Sequence, residues 1–309
     1  MALPGETWQR MMLFMLATLL LAALPLAVLS PIRRRQGKPV KAMWVKYGGW
    51  FLIVPVVALP MVLGRVWMQA TFLLVSLCAL KEFARLVGLR KHRAHLWLAR
   101  ACVVLAYVPV FLSRYDLFLV FPAYLVLPVF LLPILLDRFD GMIRASCLVV
   151  LGVTYCGWFL AHLAFLMNAD AGRQLVLAFL VVVAINDSAA YLVGSGLGRR
   201  PLAPRLSPNK TIEGFLGAIA VTVAMTFLVR FALPGISRWQ TLLLGLLLAL
   251  AGTCGDLAMS LIKRDVHVKD SGHVIPGQGG LLDRLDSILF ATPIFFHFMR
   301  CFCAAGGVA

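Results

Sequence analysis

The chain has 309 residues, of which 61% are apolar and only 14% are charged, and its mean hydropathy is +0.91. A water-soluble domain of this size needs far more charge on its surface, so the composition excludes an ordinary soluble protein. The seven cysteines form no CxxC pair and lie mostly in apolar stretches, which disfavours a disulfide framework and a zinc site.

Long apolar stretches recur along the whole sequence. A helix of about 20 apolar residues crosses the hydrocarbon core of a bilayer and satisfies its own backbone hydrogen bonds there. We therefore predict an all-α fold, a polytopic transmembrane helical bundle of about ten spans. These spans are predicted at residues 11–29, 48–64, 66–80, 97–113, 117–136, 145–167, 174–194, 212–234, 240–262 and 285–304. The third of them is the shortest.

The net charge of +16 is distributed unevenly between the segments that connect the spans. With ten spans these segments alternate between two sides of the membrane, and 22 of the 29 Lys and Arg fall on one side. Lys and Arg are enriched in cytoplasmic loops, so we predict that this side is cytoplasmic and that both termini are extracytoplasmic. The basic charge then indicates topology and attraction to anionic lipids, and nucleic acid is not an expected partner.

The two halves of the sequence differ in where their polar residues lie. In residues 1–170 the spans are nearly pure hydrocarbon, and we expect a scaffold, a lipid cleft, an oligomer contact or a combination of these. In residues 171–309 polar side chains enter the spans, and the predicted cytoplasmic loops 195–211 and 263–284 carry glycine and proline. We therefore expect the functional site in the second half.

The segment "INDSAAY", residues 185–191, places polar side chains within or at the cytoplasmic end of the seventh predicted span. A carboxylate within a span costs about 2.5–3.5 kcal/mol on insertion scales, so Asp187 needs a compensating role. Asp187 and Tyr191 are four residues apart and share one helix face. With Asn186, they form either a polar contact between helices or part of a functional site.

The segment "LSPNKTIEGFLGA", residues 206–218, indicates a helix start that suits an anion. Thr211 is a suitable N-cap, and Glu213 falls in the first turn. Lys210 precedes the cap, and the N–H groups and positive dipole at a helix N-terminus favour phosphate. Ser207 is predicted to lie at the end of an extended segment. An ordinary capped helix is the alternative.

Carboxylates gather towards the C-terminus, where residues 260–287 hold four of the 13 Asp and Glu. Asp283 and Asp286 are three residues apart, so a helix places both on the same side. Asp256 lies in the cytoplasmic third of the ninth predicted span. Because carboxylate oxygens are ligands that Mg²⁺ prefers, these three residues are candidate metal ligands.

Cations and glycines accompany these carboxylates. Lys263 and Arg264 follow where the ninth span leaves the membrane, and they suit an anionic substrate such as a phosphate. Gly279 and Gly280 allow the backbone to approach a bound group closely. A solvated loop rich in ion pairs is the alternative, but acids are scarce in the rest of the chain.

These motifs together resemble the phosphatidate cytidylyltransferases, also called CDP-diacylglycerol synthases. Upstream, "NDSAAYLVG" and "LSPNKTIEGFLGA" are similar to two further segments of that family. Two positions depart from the family pattern, since Gln278 stands where His is usual and Asn209 where Lys is common. The residues in register with the family signature are Ser260, Lys263, Arg264, Lys269, Asp270, Pro276, Gly279, Gly280, Asp283, Arg284 and Asp286.

The resemblance implies a reaction and a role for each motif. CTP and phosphatidic acid would give CDP-diacylglycerol and pyrophosphate, with Mg²⁺ on Asp256, Asp283 and Asp286 and a second mono- or divalent cation left open. The catalytic residues would be Lys263, Arg264, Lys269, Asp270 and Arg284. The residues that bind substrate phosphate would be Ser207, Lys210, Thr211, Ser260, Gln278, Gly279 and Gly280. Further candidates are Asn186, Asp187, Tyr191 and Glu213.

Several alternatives stay open at this point. Within the family, the acceptor could be a different lipid phosphate, because Gln278 replaces the usual His. A CTP-dependent lipid kinase needs the same ligands but would release CDP, and a transporter could use the acids within the spans. The expected location is a membrane, the inner membrane if the source is bacterial, with the site on the cytoplasmic side. A homodimer is also left open.

Overall fold

A computed structural model of the protein describes residues 4–35, 40–268, 272 and 279–302. Over these residues the protein is a bundle of helices, as the sequence predicts. The helices are α1 (Pro4–Leu21), α2 (Ala23–Arg35), α3 (Lys41–Leu63), α4 (Arg65–Leu86), α5 (Arg93–Phe111), α6 (Tyr115–Leu135), α7 (Met142–Gly152), α8 (Phe159–Leu166), α9 (Gly172–Leu197), α10 (Ile212–Leu228), α11 (Arg238–Asp265) and α12 (Leu282–Phe302). Single turns of 3₁₀-helix lie at Leu89–Lys91 and Val229–Ala232.

Nine helical segments within the described residues are long and apolar enough to cross a membrane. The predicted polytopic bundle is thereby confirmed, and the protein is an integral membrane protein. The second predicted span, 48–64, corresponds to the shorter apolar helix Tyr47–Leu63. The third, 66–80, lies inside α4, which runs six residues further, past Glu82, an acid that is only 4% exposed.

The helices α7 and α8 form one continuous segment, Met142–Leu166, with a turn of π-helix at its centre. This turn, Val153–Trp158, joins the two helices without a break in the chain direction. A π-helical turn inserts one residue into the helical repeat and is frequently found at functional sites. Side chains in this turn therefore point in directions that differ from those of a regular α-helix.

Helices α9, α10, α11 and α12 make the most extensive contacts in the molecule. Small residues allow these helices to approach closely, as in other membrane bundles. A side chain at Gly217 would collide with Val193 of α9, and one at Gly245 would collide with Val223 of α10. At Gly255 the backbone of α11 lies against the carbonyl oxygen of Asp286 in α12.

A small hairpin connects α9 to α10 at one end of the bundle. Its strands β1 (Pro201–Ala203) and β2 (Ser207–Thr211) are antiparallel, with Pro201 opposite Thr211. The extended conformation thus continues to Thr211, beyond the predicted end at Ser207. Glu213 accepts hydrogen bonds from the backbone N–H groups of Arg199 and Arg200, at 2.9 and 3.2 Å, which fixes the exit from α9.

Candidate active site

Three carboxyl groups from three helices converge beside the hairpin end of the bundle. Asp187 of α9, Asp256 of α11 and Asp286 of α12 form what we call the acid cluster. The carboxyl groups of Asp256 and Asp286 lie close together. Asp187 is close enough to both for their charges to repel one another. Asp286 is only 7% exposed, so water screens this repulsion poorly.

A network of polar side chains holds Asp187 in place. The hydroxyl of Ser287 donates to Asp187 Oδ1 at 2.9 Å, and the Asn186 amide donates to the same oxygen at 3.3 Å. Asn186 is buried and accepts a hydrogen bond from Thr222 of α10 at 3.0 Å. A side chain at Gly252 of α11 would collide with the Asn186 amide. The predicted polar cluster on α9 therefore contacts α10, α11 and α12 together.

Two lysines form ion pairs with acids at the site. Lys210 Nζ lies 2.5 Å from Asp256 Oδ2, and Lys263 Nζ lies 2.7 Å from Asp283 Oδ1. The second pair is the more buried, with side-chain exposures of 17% and 11%. The three predicted metal ligands are thus divided, since Asp256 and Asp286 belong to the acid cluster while Asp283 is bound by Lys263.

The segment before α12 is shaped by one glycine and by the start of the helix. Gly279 has a φ of +85°, which an L-residue rarely adopts. The Gly280 N–H then donates to Asp283 Oδ2 at 3.2 Å, so both carboxylate oxygens of Asp283 are engaged. This geometry explains the glycine pair predicted from sequence.

Glu82 is a site residue that the sequence analysis missed. It lies in α4, in the half of the chain expected to be scaffold, and accepts a hydrogen bond from the Leu281 N–H at 2.8 Å. It therefore anchors the segment that positions Asp283. In the sequence, Glu82 could be noticed only as a carboxylate near the end of a predicted span. Nothing in its local sequence shows which distant segment it contacts.

The other predicted residues lie around this centre in different roles. Thr211 caps α10, as predicted, by accepting from the Gly214 N–H at 3.1 Å. Ser260 donates to the Asp256 carbonyl oxygen at 2.9 Å, and Arg264 Nε donates to the Leu206 carbonyl oxygen at 3.4 Å. Ser207 begins β2, Arg284 lies in the first turn of α12, and Tyr191 of α9 is 41% exposed. Lys269, Asp270 and Gln278 lie outside the described residues.

The donor set of the acid cluster fits a hard divalent cation. Three carboxyl groups stand together, and Lys210 is the cation that forms an ion pair with them within the described part of the chain. Mg²⁺ prefers such oxygen ligands and would offset the remaining negative charge. In this structure no group of three or more acidic, His or Cys side chains in that part of the chain has metal-site spacing, and Asp256 is paired with Lys210.

These features define a class of protein. It is a membrane-embedded helical enzyme whose acids and lysines meet at one end of the bundle. A model of the cytidylyltransferase family matches residues 44–302, and the chain belongs to that family. Its members are nucleotidyltransferases, and this chain is one of them.

Individual relatives agree with this assignment. The uncharacterized protein YnbB of Escherichia coli (strain K12) is 36% identical over 249 residues, which cover 78% of this chain and 82% of YnbB. The phosphatidate cytidylyltransferase of Bacillus subtilis (strain 168) is 41% identical over 157 residues, or 50% of this chain and 58% of the relative. That of Staphylococcus haemolyticus (strain JCSC1435) is 40% identical over 162 residues, or 51% and 60%. The chain thus spans somewhat more than half the length of these two enzymes.

Proposed function

We propose that the protein transfers CMP from CTP to the phosphate of a membrane lipid, with phosphatidic acid as the first candidate, and releases pyrophosphate. The observation that carries the proposal is the convergence of the acid cluster with Lys210 and with the Lys263–Asp283 pair. Relatives named phosphatidate cytidylyltransferase match half of the chain and support the choice of lipid.

The proposed reaction balances without an external base. An oxygen of the lipid phosphate attacks the α-phosphorus of CTP, and the bond to the β-phosphate breaks as the new bond forms. The lipid phosphate is ionised at neutral pH, so it needs no strong base, and Gln278 in place of His is compatible with turnover. The obstacle is the repulsion between two polyanions, which positioning and electrostatic stabilisation must overcome.

Mg²⁺ is the proposed cofactor, and Asp187, Asp256 and Asp286 would hold it, with Asp283 as a further ligand. When bound, it supplies positive charge to the triphosphate and to the departing pyrophosphate. The lysines then have a second task. Lys210 and Lys263 bind acids in this structure, and each would bind a substrate phosphate in place of its carboxylate.

The remaining basic residues extend this phosphate-binding surface. Arg264 hydrogen-bonds the hairpin backbone, and Arg284 lies one residue after Asp283. A guanidinium group binds phosphate oxygens in pairs, which suits a triphosphate. We place the site on the cytoplasmic side, where CTP is present, because most Lys and Arg fall on the side of the membrane that carries these residues.

The test is direct. Purified protein in detergent is incubated with labelled CTP, Mg²⁺ and a panel of lipid phosphates, and the products are separated. We expect a CDP-lipid and pyrophosphate with phosphatidic acid, and loss of both on addition of EDTA. Release of CDP with a newly phosphorylated lipid would instead indicate a lipid kinase. A CDP-lipid formed only from another lipid phosphate would correct the acceptor and keep the reaction.

A further inference from the structure

The hydroxyl of Tyr155 has no hydrogen-bond partner among the described residues, although the residue is only 4% exposed. A buried hydroxyl that lacks a partner carries its full desolvation cost, so such groups are rare and need an explanation. Tyr155 lies in the π-helical turn Val153–Trp158, where the helix departs from regular geometry. Neither its local sequence nor its place in the first half of the chain marks it as a site residue.

The position of Tyr155 relates it to the acid cluster. Its ring packs edge-on against Phe290 of α12, with ring centroids 6.0 Å apart. Phe290 lies one helical turn beyond Asp286, away from the start of α12. The Tyr155 hydroxyl also lies within electrostatic range of Asp286 and Asp256. Tyr155 therefore lies near the acid cluster, on a helical segment other than the three that carry the acids.

Two donors of different charge lie near the acid cluster. Lys210, in the hairpin, is a cation that suits the highly charged nucleotide. The Tyr155 hydroxyl is neutral, and the ring that carries it contacts the rings of Phe159 and Phe290. A lipid phosphate whose acyl chains stay in the bilayer must approach along the membrane-spanning helices, and the segment that carries Tyr155 is one of them. A neutral donor can bind one of its oxygens without adding a buried charge.

We propose, on the basis of the proposed function, that the Tyr155 hydroxyl donates a hydrogen bond to the phosphate of the lipid acceptor at the acid cluster. The first half of the chain would then contribute a substrate-binding residue as well as scaffold. Tyr155 would select for the lipid substrate and leave nucleotide binding unaffected.

The test compares two conservative variants. Tyr155→Phe removes only the hydroxyl, and Tyr107→Phe is the matched control, because Tyr107 is fully buried but its hydroxyl is paired with Ser76 at 2.8 Å. We expect Tyr155→Phe to raise KM for phosphatidic acid about tenfold, the value of one hydrogen bond to a charged group. KM for CTP should not change, and the Tm of the ligand-free protein should rise slightly, because the change removes a buried hydroxyl that has no partner. Tyr107→Phe should lower the Tm and leave both KM values unchanged.

Direct binding separates this inference from the proposed reaction. The affinity of each variant for dioleoyl phosphatidic acid is measured in detergent micelles without CTP. If the wild-type protein transfers no CMP, the proposed reaction fails, while weaker lipid binding by Tyr155→Phe alone still supports the assignment of Tyr155. Unchanged lipid affinity in Tyr155→Phe, or an equal loss of CTP and lipid binding, would overturn that assignment.

Discussion

Lys210 Nζ lies 2.5 Å from Asp256 Oδ2, so the residue predicted to bind phosphate neutralises a residue predicted to bind metal. The pair joins the hairpin to α11 at the acid cluster. Both side chains are between a quarter and a third exposed, so the pair is accessible to a ligand. In the proposed reaction Lys210 would bind a nucleotide phosphate and Asp256 would hold Mg²⁺, so substrate binding would separate the pair.

Lys210→Gln should lower kcat/KM for CTP by about 10- to 100-fold, since a hydrogen bond to a charged group is worth about 1.5–3 kcal/mol. The matched control is Arg205→Gln, which removes the same charge from an exposed position in the same hairpin. Steady-state kinetics with varied CTP measure both. An equal loss in Arg205→Gln would mean that the hairpin acts only through its overall charge.

Asp283→Asn should abolish nucleotide transfer while the protein remains inserted and folded. The change removes the carboxylate that binds Lys263 and accepts from the Gly280 N–H, and it removes a predicted metal ligand. Asp265→Asn is the control, because Asp265 is an exposed acid at the end of α11. Transfer of label from CTP to lipid measures activity, and size-exclusion profiles in detergent report folding. Normal turnover in Asp283→Asn would remove Asp283 from the site.

Glu82→Ala should lower both stability and kcat. It leaves the Leu281 N–H without its acceptor, at a cost of about 1–3 kcal/mol, and frees the segment that positions Asp283. Glu6→Ala removes an acid from an exposed ion pair, for which about 0–1 kcal/mol is expected. Thermal unfolding in detergent and kcat are compared for the two. Full activity in Glu82→Ala would show that this anchor is dispensable.

Gly255→Ala should destabilise the protein by about 1–3 kcal/mol, because its methyl group would collide with the Asp286 backbone where α11 and α12 touch. Gly48→Ala is the opposite case. Among the described residues, no atom outside the helix's own nearby backbone lies within 4 Å of a Cβ placed there, so the change should stabilise the protein by about 0.5–1 kcal/mol. Opposite shifts in Tm are expected, and a shift of the same sign would contradict the packing argument.

Gln278→His restores the residue that is usual in the family and should preserve CMP transfer. The proposed reaction uses an ionised lipid phosphate as nucleophile, so neither side chain is needed as a base. Initial rates with phosphatidic acid and with other lipid phosphates measure the effect. A collapse of activity would give Gln278 its own role in binding substrate.

Hydropathy and the spacing of charged residues along the sequence predicted most of the membrane spans and several residues of the candidate site. Lipid requires helices of a certain length, and that requirement is local in sequence, so nearly every span was predictable. The motifs around Asp187, Lys210 and Asp283 were visible because polar residues are rare in such a chain. Even the cap at Thr211 followed from local backbone chemistry.

The tertiary structure decided which of these groups meet. Asp187 joins Asp256 and Asp286, while Asp283 pairs with Lys263, and no local spacing distinguishes these two outcomes. Glu82 contacts Leu281, and Tyr155 lies near Asp256 and Asp286, although both belong to the first half of the chain, more than 100 residues away. Such contacts depend on how helices pack and on where a π-helical turn rotates a side chain. Those are properties of the assembled bundle, and a periodicity read along one helix does not contain them.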